Sequence, residues 1–201
     1  LKGDARPVIP ALKQMAEEKD YSKIFAKIPA HAGEAFKKAG YRQEAAIPDF
    51  YKGSTDALFM GYYLDPDRAV NRRAEKENEI LESVRQKDIV AEVPGLADGF
   101  TLRVADEEDA EALAEIYEEV FETYPFPIHE PQYIRKTMET HVVYFCVERE
   151  GRLAAVSSAE MDQEAENVEM TDFATRPDFR GHGLALYLLN RMEDEIGRAH
   201  V

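Results

Sequence analysis

The residues of this chain best suited to chemistry lie between Asn167 and Asn190, in NVEMTDFATRPDFRGHGLALYLLN. The stretch reads as a strand, then a loop carrying Arg180-Gly181-His182-Gly183-Leu184-Ala185, then a helix. A loop that opens a helix offers backbone N–H groups with no intrahelical acceptor, and the helix dipole favours negative charge there. Gly181 and Gly183 have no side chain, so an anion can approach the backbone closely. The expected ligand is a phosphate or pyrophosphate. No Lys-Ser/Thr follows the glycine, which excludes an ATP loop of that type, and the third glycine of a dinucleotide fingerprint is missing. A tight strand-to-helix turn would use the same two glycines, so the pattern alone leaves both readings open. Two carboxylates, Glu169 and Asp172, precede the loop on the strand. A carboxylate can take a proton from an attacking amine, directly or through water. Three residues apart, these two are expected to face opposite sides of the sheet.

The elements that must hold these residues follow from periodicity. FTLRVA, from Phe100, alternates as a strand. Asp106 caps a helix with Leu113, Ile116, Tyr117, Val120 and Phe121 on one stripe. TYPFPI breaks that helix with two prolines, and a second short helix is predicted over 130–139. Strands follow over 141–148, 152–161 and 167–175, the first two joined by the turn Arg149-Glu150-Gly151-Arg152. The last helix, 184–197, carries Leu184, Leu188, Leu189, Met192 and Ile196 on one face. In the first half the patterns predict a helix over 8–19, a strand over 23–28 and a helix over 30–39 closed by Gly40. Strands over 44–51 and 57–64 follow, with KGST as their turn. Asp65-Pro66 opens a charged helix running to about Lys87, with Val70, Ile80, Leu81 and Val84 as its packing face. Residues 88–99, with Pro94, Gly95 and Gly99, read as a boundary. The expected organisation is a first unit over 1–64, a bridging helix and linker over 65–99, and a second unit over 100–201.

Composition removes several function classes. The chain has 201 residues, 44% hydrophobic and 32% charged, the profile of a folded protein with a sizeable core. No apolar run approaches the roughly 20 residues of a membrane helix, and no signal-peptide pattern stands at the start. A single cysteine, Cys146, excludes an internal disulfide and a multi-thiolate zinc site. No residue cluster has metal-ligand spacing, so no metal is expected, and the compartment reads as cytoplasmic. Twenty-five basic residues stand against 40 acidic ones, a net charge of −15. Residues 1–93 are balanced, so the whole excess lies in the second half. Such a surface repels nucleic acid and attracts cations. A cationic amine substrate is one reading of it and a solubilising face is another. Leu1 is not methionine and Val201 directly follows a helical pattern, so the chain is read as a piece of a longer protein.

Strand, helix, helix, three strands, then Arg180-Gly181-His182-Gly183-Leu184-Ala185 and a helix resembles the GNAT family of acetyl-CoA-dependent N-acetyltransferases, whose signature is Q/R-x-x-G-x-G/A. The resemblance implies an α/β (α+β) fold with a mixed, mostly antiparallel sheet flanked by helices, and acetyl-CoA as acetyl donor. It implies that the loop from Arg180 through Gly181, His182, Gly183, Leu184 and Ala185 holds the coenzyme A pyrophosphate. Phe173, Ala174 and Thr175 would pair by backbone with pantetheine, as an added strand does. Glu169 stands where several relatives have a glutamate general base. Tyr124, Phe126 and Asp172 would bind the acceptor, and the N–H of Ala174 is a candidate oxyanion donor. His182 can offer a proton or fill a variable position, and His129 can line the acceptor site or simply sit on the surface. Cys146 alternates with apolar neighbours and reads as a buried small hydrophobe.

The first half is similar to the second half of a GNAT domain, with Gly40-Tyr41 in place but Phe36 where the family often has a tyrosine acid. It therefore reads as a half-GNAT-like unit whose work is packing or dimerisation. The second unit ends before the family's last strands. Either further chain follows Val201, the favoured account, or the first half completes the sheet. KIFAKIP…GYRQEAAIPDFY, the bridging segment, TYPFPI and EMTDFATRPDFRGHGLA together resemble the beta-lysine N6-acetyltransferase family, from about Tyr21 to Val201. That resemblance implies acetyl transfer to the side-chain amine of beta-lysine, making the osmolyte N6-acetyl-beta-lysine. The alternatives are another small cationic amine, or a coenzyme A-binding module without catalysis. A homodimer is a candidate assembly; nucleic acid and membrane are not expected partners.

Overall fold

The computed structural model describes residues 7–87 and 95–199, with side chains to residue 197. The chain ends and most of the expected boundary, including Pro94, lie outside the described residues. Two compact units divide the chain, Leu1–Ile89 and Val90–Val201.

In the first unit, α1 (Val8–Glu18) leads into β1 (Lys23–Pro29). A 3-10 turn, Ala30–Ala32, runs into α2 (Gly33–Lys38), followed by β2 (Arg42–Tyr51) and β3 (Thr55–Tyr63). The three strands pair antiparallel in the order β1-β3-β2. Ile9, Ala16, Ile24, Ile28, Phe36, Tyr41 and Met60 form the core. Phe36 is buried and meets the Tyr41 ring edge-on at 4.9 Å. The continuous helix expected from Asp65 to Lys87 is interrupted. Asp65 does cap, accepting from the Asp67 N–H at 2.9 Å, but only a 3-10 turn over Pro66–Ala69 follows. Val70 is extended, and the Asn71 side chain accepts from the Arg73 N–H at 2.9 Å. Such local side-chain bonding competes with helix formation. The helix restarts as α3 (Ala74–Arg85), and the four residues expected to form its packing face stay 51–59% exposed.

The second unit places β4 (Phe100–Val104), α4 (Ala110–Val120), α5 (Pro131–Met138), β5 (Val142–Arg149), β6 (Arg152–Asp162), β7 (Asn167–Thr175) and α6 (Leu184–Ala199) in that order. The sheet is antiparallel, ordered β4-β5-β6-β7. One face is covered by α4 and α5 through Leu113, Ile116, Tyr117 and Ile134; the other by α6 through Leu184, Leu188 and Met192. Each is buried to 2% or less, and burying such a side chain contributes about 1.5–3 kcal/mol. The start of α4 is doubly fixed. Asp106 and Asp109 form a reciprocal capping box across a 3-10 turn, Glu107–Asp109. The Arg103 fork grips Asp109 at 2.5 and 2.7 Å and Glu148 at 3.0 Å. Glu150 and Gly151 both take left-handed backbone, the pair a tight hairpin between β5 and β6 requires. Cys146 is fully buried on β5, and burial pushes its thiol up to about 12.

Candidate active site

The site is built on β7, the last strand of the sheet among the described residues. Register across β6 and β7 shifts between Val156 and Ser158: Thr171 faces Ser158 and Ala174 faces Val156, leaving two residues opposite Ser157. This is a bulge, and Asp172 within it takes φ +57°. The extra residue overturns the expected parity. Glu169 pairs with Glu160, and Asp172 bonds to Ser158, so both carboxylates lie on the α4–α5 face of the sheet rather than on opposite sides. Asp172 is 8% exposed. It accepts from the Tyr124 hydroxyl, from Ser158 Oγ at 2.8 Å and from Thr171 Oγ1 at 3.3 Å. A buried carboxylate survives only with such donors. Burial and the bond to Asp172 push Tyr124 up to about 12, so it keeps its proton at neutral pH.

Around this carboxylate lies a cavity of about 240 Å³ lined by Phe126, Tyr133, Tyr144, Glu160 and Asp172 among others. Tyr144 is pushed up to about 12 by burial, while its hydroxyl bonds Thr137 at 2.9 Å. The walls are therefore aromatic and hydroxyl-bearing, and the charge is negative. Such a cavity suits an aliphatic stem ending in an ammonium. Phe126 is 54% exposed, at the cavity's lining. Tyr124 and His129 line a separate hollow of about 420 Å³ with Glu118 and Glu122. Glu169 is exposed.

The loop after β7 is shaped for an anion. Gly181 and Gly183 adopt φ +84° and +71°, the left-handed region glycine enters freely. A side chain added at Gly181 would meet nothing within 4 Å, so the space over its backbone is open. The first turn of α6, from Leu184 and Ala185, presents the usual free amides. His182 Nδ1 donates to the Phe179 carbonyl at 3.1 Å, and Arg180 Nε donates to the Thr175 carbonyl at 3.3 Å. The Arg176 N–H bonds the Ala154 carbonyl across the ladder at 3.0 Å. Backbone direction alternates along an antiparallel strand. Thr175 and Phe173 thus turn their N–H and C=O away from β6. Counting back from Arg176, the same alternation turns the N–H and C=O of Ala174 towards β6. The residues present fit coenzyme A: amides and Arg180 at its pyrophosphate, outward backbone groups of β7 along its arm.

Sequence reasoning missed Ser158 and Arg176. Ser158 is fully buried among apolar neighbours of β6 and carries no spacing signal. Arg176 is 9% exposed, donates Nε to the Leu153 carbonyl at 3.0 Å and pairs with Glu119, tying the start of the loop to β6 and α4.

Residues 110–200 match the model of the acetyltransferase (GNAT) family. Over 190 residues the chain is 38% identical to a protein named beta-lysine N(6)-acetyltransferase from Methanococcus maripaludis, covering 94% of this chain and 69% of that one. This chain belongs to the GNAT family. A second relative of the same name, from Methanosarcina mazei, is 32% identical over 92% of this chain and 76% of its own. N-acetyltransferase YodP of Bacillus subtilis is 31% identical over 96% and 70%. As a GNAT protein the chain is an acyltransferase, and its acetyl donor is acetyl-CoA. Among the described residues no group of acidic, histidine or cysteine side chains could hold a metal, and no helix is long and apolar enough to cross a membrane.

Proposed function

We propose that this chain transfers the acetyl group of acetyl-CoA to the side-chain amine of beta-lysine, yielding N6-acetyl-beta-lysine and coenzyme A. The observation that carries the substrate is the 38% identity, along 94% of the chain, to the Methanococcus protein of that name. The aromatic, acidic cavity at Asp172 supports it, since beta-lysine brings two ammonium groups on an aliphatic stem. Acetyl-CoA supplies an activated acyl carbon. In the proposal its pyrophosphate rests on Arg180, Gly181, His182, Gly183, Leu184 and Ala185, and its pantetheine arm along Phe173 and Thr175. Tyr124, Phe126 and Asp172 hold the acceptor.

Near neutral pH a lysine-like amine is almost wholly ammonium and cannot attack. Glu169, on the same face of the sheet as Asp172, takes its proton directly or through water. The freed nitrogen bonds to the acyl carbon, the carbon–sulfur bond breaks, and the thiolate leaves with the coenzyme to gain a proton. No covalent acyl-enzyme is needed. The reading takes the protein as cytoplasmic and free of nucleic acid, with a homodimer as the assembly for light scattering to test.

Release of coenzyme A from acetyl-CoA, followed with beta-lysine, alpha-lysine and polyamines in turn, tests the substrate. The highest kcat/KM belongs to beta-lysine; a higher value for another amine keeps the family and discards the substrate. Acetyl-CoA binding with no turnover on any amine returns the chain to a binding module. Glu169→Gln is expected to lower kcat at least tenfold and to change the pH profile. An unchanged profile ends Glu169's role as base.

A further inference from the structure

We propose that the β5–β6 hairpin adds a second anion subsite to the phosphate loop: Arg149 and His182 receive the terminal 3′-phosphate at the adenosine end of coenzyme A. The inference rests on the reading of residues 180–185 as the pyrophosphate site, and concerns side chains which that reading leaves unused.

Phe100, 8% exposed, forms the floor. The Arg149 guanidinium lies 5.2 Å over its ring, the His182 ring is centred 5.4 Å away, and Phe179 stands edge-on at 5.9 Å. One aromatic floor thus joins the hairpin turn to the anion loop. His182 is exposed, and its Nδ1–H is spent on the Phe179 carbonyl, which leaves Nε2 facing a ligand, a donor to a phosphate oxygen in the imidazolium form. The charge pattern selects Arg149. The other arginines at this end are committed elsewhere: Arg176 to Glu119, Arg152 to Asp178 at 2.6 Å, and Arg180 to the pyrophosphate in the proposed reading. Arg149 has no carboxylate partner among the described residues, in a unit where acidic residues far outnumber basic ones. A free guanidinium in such surroundings suits a dianionic phosphate, whose oxygens match its fork. Coenzyme A carries such a group beyond its pyrophosphate, and dephospho-coenzyme A differs only in lacking it.

Isothermal titration calorimetry with coenzyme A and dephospho-coenzyme A tests this without catalysis. The unmodified protein is expected to bind coenzyme A about tenfold or more tightly than the dephospho form, as a charge-assisted contact implies. Arg149→Met keeps the aliphatic stem over Phe100. It should raise the Kd for coenzyme A about tenfold and leave the Kd for dephospho-coenzyme A unchanged, which also verifies the fold. Equal affinities in the unmodified protein, or equal weakening of both ligands by Arg149→Met, overturns the subsite. Failure of the unmodified protein to bind either ligand overturns the pyrophosphate reading instead.

Discussion

At the scale of single residues, Asp172 is the most constrained group in the site. Three hydroxyls point at one carboxylate, and all three sit on its own unit's strands or on the loop after α4. Asp172→Asn keeps the volume but replaces a charged acceptor with an amide that must also donate. With the carboxylate as counter-ion to the acceptor's ammonium, kcat/KM for the amine should fall at least tenfold, the scale of a lost charged hydrogen bond. The coenzyme A Kd should stay within about twofold, because the loop amides are untouched. A parallel loss of coenzyme affinity would assign Asp172 to holding β7 instead. The phosphate loop was legible from six consecutive residues because its chemistry is local: glycines, a strand before and a helix after. The orientation of Asp172 was not. Strand parity predicts faces only while pairing is regular, and one left-handed residue opposite Ser157 reversed it. Nothing in EMTDFAT marks that residue, since the bulge is a property of two strands together.

At the scale of elements, α4 forms one wall behind the site, and its start depends on charge. The Arg103 fork holds Asp109 below the usual carboxylate range, outweighing partial burial, with the Asp106 N–H adding to the effect. A lowered folded pKa contributes stability above the unfolded value, and that contribution is lost as pH falls through the folded one. Melting temperature should therefore drop on acidification from about pH 5 towards pH 2, partly through Asp109. In Asp109→Asn the protein should start less stable at pH 7 and show a shallower acid slope. An identical slope in both proteins would show that Asp109 takes no part. The order and spans of the seven strands were readable from alternation and turn residues, and most boundaries fell within two residues. The segment after Asp65 was not, because helix propensity there competes with side-chain bonds to the backbone at Asn71. The exposed face of α3 has a simpler cause: apolar residues at helical spacing mark a face able to pack, and spacing alone supplies no partner.

At the scale of the whole molecule, charge is divided as sharply as the fold. The balanced first half contrasts with a second half that carries the entire −15. A field of one sign around a site for a cation raises the encounter rate, and salt screens it over about 8–10 Å. KM for the amine acceptor should rise several-fold between about 20 and 200 mM salt, while kcat holds. A KM indifferent to salt would return the acidic surface to solubility alone. The division itself was visible in the sequence, as a change in composition near residue 94. The lone thiol has a practical consequence. Cys146 is shut inside the sheet and its proton is held to about pH 12, so alkylating reagents meet no reactive sulfur on the described surface of the native protein. A cysteine introduced at an exposed turn such as Ser54 would then be the single labelling position. A fluorophore there could report on the first unit while the second turns over, with no background to subtract.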